Sequence, residues 1–183
     1  MKRLFFRILC APVCFFWLFS CVEEQNFDQF DDLSITPTLA SSLLYVESTE
    51  SYINSAGVAG GFYSQTSSFD VFSEQFVAER LLEGTITYEI ENTTSKRIAL
   101  AIEFLDEGGN VLDVETFDVD PVPSGILTRE VAYGAAGKNL SILTSTSSVR
   151  VTGSNLSDAT STSSEPEPRI IMRSGAEFLF QLK

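Results

Sequence analysis

The sequence predicts a mainly β chain: a single antiparallel β-sandwich with one or two short helices. Three observations carry that expectation. Short runs of period-two alternation recur from residue 43 onward, and each would give a strand one buried and one wet face. Turn chemistry rich in Gly, Asn and Pro separates the runs, as hairpin connections require. No long helical stripe stands between them, so a parallel sheet with crossover helices is not expected.

Thr85-Ile86-Thr87-Tyr88-Glu89-Ile90-Glu91 is the clearest strand, with Ile86, Tyr88 and Ile90 on one face and Thr and Glu on the other. Asn92 to Lys96 reads as a turn. Arg97 to Leu105 follows as a strand, with Ile98, Leu100, Ile102 and Phe104 on its core face. Asp106-Glu107-Gly108-Gly109-Asn110 reads as a hairpin loop. Val111 to Val119 is the return strand, and a shift of its apolar face near Leu112 suggests a bulge. Pro121 and Pro123 end it. Ile126 to Tyr133 and Ser148 to Thr152 are further strands. Arg169 to Arg173 and Ala176 to Lys183 flank Ser174-Gly175 and predict a final hairpin with a two-residue turn, with Phe178, Phe180 and Leu182 facing the core.

Two segments carry helix signals. Ser73 to Gly84 has a Ser cap, early acids and a Gly after its last turn. Lys138 to Thr144 is the shorter candidate. Residues 153 to 168 are Ser/Thr-rich with Pro166 and Pro168, and predict an exposed, mobile loop.

The N-terminus carries a different message. Lys2, Arg3 and Arg7 precede an uncharged apolar run from Ile8 to Phe19. Such a run is too short for a stable membrane span and reads as a secretory leader. It ends in Leu18-Phe19-Ser20-Cys21, which resembles the lipobox of bacterial lipoproteins. Leu18, Ser20 and Cys21 match that pattern, whereas Phe19 departs from the small residue usual there. The resemblance implies that residues 1–20 are a signal peptide and that Cys21 becomes the acylated first residue. Residues 21–40 then form an acidic tether, and 41–183 the β-sandwich domain. The acidic Glu23-Glu24 pair behind Cys21 also resembles the export signal of surface lipoproteins of the Bacteroidota. A plain hydrated linker explains those acids equally.

A second resemblance lies between Gly84 and Gly109. TITYEIEN followed by TTSKRIALAIEFLDEGGN is similar to late-embryogenesis-abundant type 14 and fibronectin-like domains. It implies an immunoglobulin/fibronectin-like sandwich and no activity.

Composition excludes more than it offers. Three of the 12 basic residues lie in the leader, so 9 remain against 25 acidic ones and the net charge falls to −16. That charge opposes nucleic-acid binding, where phosphate neutralisation dominates affinity. The chain has no His, which removes the commonest general base and transition-metal ligand. With Cys10 and Cys14 in the leader and Cys21 acylated, no thiol remains for a disulfide. No cofactor and no metal are expected.

Candidate sites are correspondingly few. Asp106, Glu107, Asn110 and Asp113 could supply oxygens to Ca²⁺ but lack the rhythm of an EF-hand, and a hairpin turn explains them. Asp118 and Asp120 could form an acid pair, but a solvated strand end explains them better than a hydrolase does. Thr94 to Arg97 place two cations side by side, for a partner's acids or for turn solubility. Tyr45, Tyr52, Phe62, Tyr63, Phe69 and Phe72 crowd one stretch with Gly57, Gly60 and Gly61 between them. They either fill the core or offer a docking surface. Phe27 and Phe30 in the tether, with Tyr52, Phe62 and Tyr63, are the candidate partner contacts.

The expected function is a non-enzymatic accessory or interaction subunit, held at the outer membrane by lipid on Cys21, with a protein partner in an outer-membrane complex. The alternative is a surface module that binds glycan or peptide. Cys21→Ala is expected to leave an unprocessed, unlipidated precursor, and mass spectrometry of the mature N-terminus checks this. Cleavage elsewhere, or a free Cys21 thiol, contradicts it.

Overall fold

The computed structural model describes residues 34–182, apart from Ala59, Asp70, Ser73 and Ser124. Residues 1–20, read as a leader, and Cys21, Phe27 and Phe30 lie outside the described residues. Eight strands build two four-stranded antiparallel sheets. In chain order they are β1 (Thr38–Thr49), β2 (Gly61–Ser68), β3 (Leu81–Asn92), β4 (Ile98–Leu105), β5 (Val111–Val119), β6 (Leu127–Tyr133), β7 (Ser148–Asn155) and β8 (Arg169–Phe180). One sheet has the order β1-β8-β3-β6 and the other β2-β7-β4-β5.

The predicted sandwich is therefore the architecture, and its strand order is of the jelly-roll kind. β4 pairs with β5, β3 with β6, β2 with β7 and β1 with β8, one pair nested outside another. An immunoglobulin or fibronectin order does not nest its strands in this way. The Gly84–Gly109 resemblance spans only β3 and β4, too little to set the order of the other six.

The core is the set of inward alternations on both sheets. Ile86, Tyr88 and Ile90 of β3 are buried, as are Ile98, Leu100, Ile102 and Phe104 of β4, and Phe178 and Phe180 of β8. The β4–β5 hairpin forms where the Gly and Asn residues place it. The Asp106 carboxylate accepts Asn110 N–H at 2.8 Å, and Gly109 takes φ +77°, a conformation that costs glycine little. The register steps from Phe104↔Asp113 to Leu105↔Val111, so Leu112 is the extra residue of the predicted bulge.

Four segments differ from expectation. Helix α1 is Glu50–Ser55, where none is expected, helix α2, all that forms of the 73–84 helix, is Gln75–Ala78, and helix α3 is Leu140–Ser145. From Leu81 the chain joins β3, where pairing with both β8 and β6 satisfies its backbone and outweighs local helix propensity. The terminal hairpin does not form. Ser174 and Gly175 run straight through β8, with Gly175 between Ser42 and Thr87; as a central strand, β8 gains a ladder on each side. Leu182 is partly exposed rather than in the core. β1 begins at Thr38, inside the stretch read as tether, because Pro37 offers its carbonyl to Phe180 N–H at 3.0 Å and the chain beyond it pairs with β8.

The fourth is the loop before β8, which is laced to the sandwich. Lys96, read with Arg97 as a contact for a partner's acids or as turn solubility, is fully buried. Its ammonium donates to Asp158 at 3.0 Å and to Ser161 Oγ at 2.6 Å. Glu50, 2% exposed, accepts Ser95 N–H and Oγ–H at 2.6 Å each and Ser163 N–H at 2.8 Å. A charge this deep persists only when it is paired and hydrogen-bonded. Burial pushes the Glu50 carboxyl up, but the hydrogen bonds from Ser95 and Ser163 and the nearby Lys96 hold it below its ordinary 4.5. Asp158 is likewise held well below the carboxylate range, by the Ser161 and Thr160 N–H groups first and then by Lys96.

Two predictions follow from these placements. Ile102→Ala should cost about 2 to 4 kcal/mol, and Thr87→Ala on the outer face of β3 under about 0.5 kcal/mol; equal losses in a urea melt would contradict the assigned faces. A carboxyl depressed in the folded state stabilises above its unfolded pKa, and that contribution is lost as pH falls. Glu50→Gln should therefore lower the melting temperature at pH 7, with the gap from the parent narrowing as pH falls below 4.5. A gap unchanged down to pH 3 would refute this role.

Candidate functional site

A two-sheet sandwich has two flanks where the free edges of its sheets meet. Here β6 and β5 form one, and β1 and β2 the other. The sequence fills them in opposite ways.

The β5/β6 flank is closed by charge. Asp113 and Glu115 of β5 stand opposite Phe104 and Ile102 and share the inner face with them. Lys138, from the loop after β6, donates to Asp113 at 2.6 Å and to Glu115 at 2.5 Å. Arg129 of β6 donates to Thr116 C=O at 2.9 Å and lies 4.2 Å from the Phe117 ring centroid. Its Nη1 is also 3.4 Å from Glu115. Behind this cluster the Tyr88 and Tyr133 hydroxyls are buried without a partner, and burial, with the nearby carboxylates, pushes both far above the ordinary tyrosine range. Inward-pointing charge is a device that keeps an edge from pairing with another chain.

The β1/β2 flank has no such closure. From Thr38 to Val46, β1 carries no charge, and β2 carries none in its whole length. The positions of β2 that share the inner face with Gly153, Val151 and Val149 are Tyr63, Gln65 and Ser67. Gln65 and Ser67 are polar and Ser67 is also small, so the gap between the sheets is underfilled. The result is a cavity of about 160 Å³. Leu43, Leu44 and Val46 of β1 line it on one side, and Tyr63, Gln65 and Ser67 of β2 on the other. Tyr88, Phe104, Val149, Val151 and Ser174 lie deeper. No charged residue lines it. Ser174 is only 5% exposed, and its Oγ has no hydrogen-bond partner. Tyr63 Oη is held by Gln65 at 2.7 Å.

The structure disperses the predicted contacts. Tyr63 lines the cavity. Phe62 is buried against Gly153, where a Cβ would stand 2.7 Å from the Phe62 ring, so it serves the core and no partner. Phe69 and Phe72 are core residues too: Phe72 packs against Phe69, Phe178 and Phe180. Tyr52 on α1 and Tyr45 on β1 are 58% and 59% exposed. Ser174, Gln65 and Ser67 were missed. β2 has little apolar alternation, and only its pairing with β7 identifies it as a strand. Ser174 looked like a turn.

The acidic candidates are engaged within the fold. Asp106 is occupied by its own loop, and Asp113 faces Lys138 rather than that loop. Among the described residues no group of His, Cys, Asp or Glu is placed to hold a metal ion. Asp118 and Asp120 both lie on Arg97 at a solvated strand end. No described helix is long and apolar enough to cross a membrane.

No protein-family model matches the chain, and no curated protein matches it. Among solved structures, the infectious bursal disease virus VP2 subviral particle aligns with 81% of this chain at 9% identity and TM-score 0.38. The chain spans 33% of that protein's length. The Desmodium yellow mottle tymovirus structure aligns with 82% of this chain and 89% of its own, at 9% identity and TM-score 0.35. The Bacillus endospore appendage protein aligns with 81% of this chain and 92% of its own, at 8% identity and TM-score 0.36. Likeness this distant carries no argument; the strand order rests on the pairing itself.

Proposed function

We propose that this chain is a lipid-anchored, non-catalytic interaction module that meets a protein partner along its β1/β2 flank at the outer membrane. Leu18, Ser20 and Cys21 support the anchor. An acyl chain gains about 0.8 kcal/mol per buried CH₂, so two or three chains hold a protein stably. The observation that carries the contact surface is the difference between the flanks. One is closed by Asp113, Glu115, Arg129 and Lys138; the other presents two free edges that carry no charge from Thr38 to Val46 and from Gly61 to Ser68. Unpaired edge groups without charge are a template for a strand from another chain.

The second reading is a surface module for glycan or peptide. It is supported by the exposed rings of Tyr45 and Tyr52, which stand on neighbouring elements and offer stacking faces.

The test is to charge the free edges. Ser42 and Ser64 are exposed on β1 and β2. Ser42→Lys with Ser64→Lys should change stability by about 0.5 kcal/mol or less. It should also abolish co-purification of partners from detergent-solubilised membranes. Retention of every partner by the double variant would refute the β1/β2 contact.

A further inference from the structure

The end of the sandwich where β1 begins and β8 ends carries apolar side chains that the core does not cover. Ile35 and Leu182 form an antiparallel bridge just outside those strands, with backbone bonds of 3.0 and 2.8 Å, so their side chains share a face. Leu182 continues the inward alternation of Phe178 and Phe180 past the end of the core, and both it and Ile35 are exposed. Gln181 donates its N–H to Arg80 C=O at 2.9 Å, which brings the end of α2 alongside. Arg80 donates to Phe76 C=O at 2.9 Å, and its guanidinium lies 3.5 Å from the centroid of the Phe76 ring. That ring is 61% exposed. Exposed apolar residues scattered singly need no explanation, but Ile35, Leu182 and Phe76 are joined through consecutive hydrogen bonds at one end.

We propose that this end rests on a lipid bilayer surface, with Ile35, Phe76 and Leu182 set among the headgroups. The inference rests on the reading that Cys21 is acylated, and it adds which face of the domain the lipid covers. Residues 22–34, thirteen in all, separate Cys21 from Ile35. A chain of that length reaches at most about 45 Å fully drawn out and averages about 20 Å as a coil. The opposite end, with Tyr52 just beyond Thr49, lies a full strand away, roughly 40 Å. Bringing that end down would draw the linker almost straight along the domain, whereas the Ile35 end meets the bilayer without stretching it. The described charges on and beside α2 are Glu74, Glu79, Arg80 and Glu83. Acids outnumber the one base, so the surface that fits is a headgroup layer without net charge, because anionic lipid would repel them.

Trp17 is the chain's one tryptophan, so a chain that has lost residues 1–20 carries only a tryptophan placed in it. Phe76→Trp and Tyr52→Trp put that reporter at the two ends, each at an exposed position. Both are expressed as the full chain, extracted, and checked by mass for acylation of Cys21. They are then reconstituted in phosphatidylcholine vesicles with brominated acyl chains, which quench a ring that touches them. Phe76→Trp should lose most of its emission and Tyr52→Trp almost none. Ile35→Ser with Leu182→Ser, added to Phe76→Trp, should restore most of that emission although the lipid on Cys21 remains; Leu182→Ser alone is the comparison if the pair unfolds the domain. For an acylated chain, three outcomes overturn this inference and leave the anchor standing. They are an unquenched Phe76→Trp, equal quenching of Tyr52→Trp, or quenching that survives the serine changes in a folded domain. A chain without acyl groups on Cys21 overturns the anchor and this inference together.

Discussion

The gap between two sheets must be filled at its edges as well as at its centre, and this chain's other features follow from how it meets that constraint. Inward alternation supplies the centre. Ile86, Ile90, Leu100 and Ile102 are buried from opposite sides, and no special chemistry is needed there. At the flanks alternation runs out, because an edge strand has a neighbour on one side only. On the β5/β6 flank, carboxylates that alternation would have made apolar are instead satisfied by Lys138 and Arg129. On the β1/β2 flank Gln65 and Ser67 leave space. A sandwich closed by charge on one flank and left open on the other has a direction.

The nested pairing makes that asymmetry possible. β4 and β5 are joined by five residues, whereas β1 and β8 lie at the two ends of the described chain. Ladders between such distant strands form slowly, and the outermost pair needs support at its ends. The Glu50 and Lys96 networks supply it. Glu50 stands where β1 passes into α1, and its carboxylate grips both the β3–β4 turn and the loop that leads into β8. The same loop is tied to Lys96 through Asp158 and Ser161. Buried charge here fixes which loop meets which turn, a use of polar burial that favours specificity over net stability.

Much of the centre was legible in the sequence. The strands around Ile86–Ile90 and Ile98–Phe104, the Gly109 turn and the Leu112 bulge all lie in local pattern, where period two and turn chemistry decide. What was not legible depends on partners far along the chain. Leu81 to Gly84 carries helix signals, and only the ladder with β8, joined by β6 from Gly84 onward, makes it a strand. Ser174-Gly175 has the composition of a turn, and only a ladder on each side keeps it straight. Lys96 reads as soluble until Asp158, 62 residues later, is placed on it. The cavity was the least legible, because it arises from polar residues on a strand with almost no strand signal. Of the predicted contacts among the described residues, Tyr52, Phe62 and Tyr63, Tyr63 alone lines it. Phe62, its neighbour, turned to the core because the bulge between Gly61 and Tyr63 puts both on the inner side.

The central claim is that the two flanks differ in what they do, the β1/β2 flank meeting other molecules and the β5/β6 flank closing the fold. Amide hydrogen exchange measured on the chain in its native membranes and again after purification tests it directly. The account predicts that residues 38–49 and 61–68 exchange slowly in membranes and lose that protection on purification, while residues 111–119 and 127–133 exchange alike in both. Protection gained in membranes along β5 and β6, or no difference on β1 and β2, would contradict it.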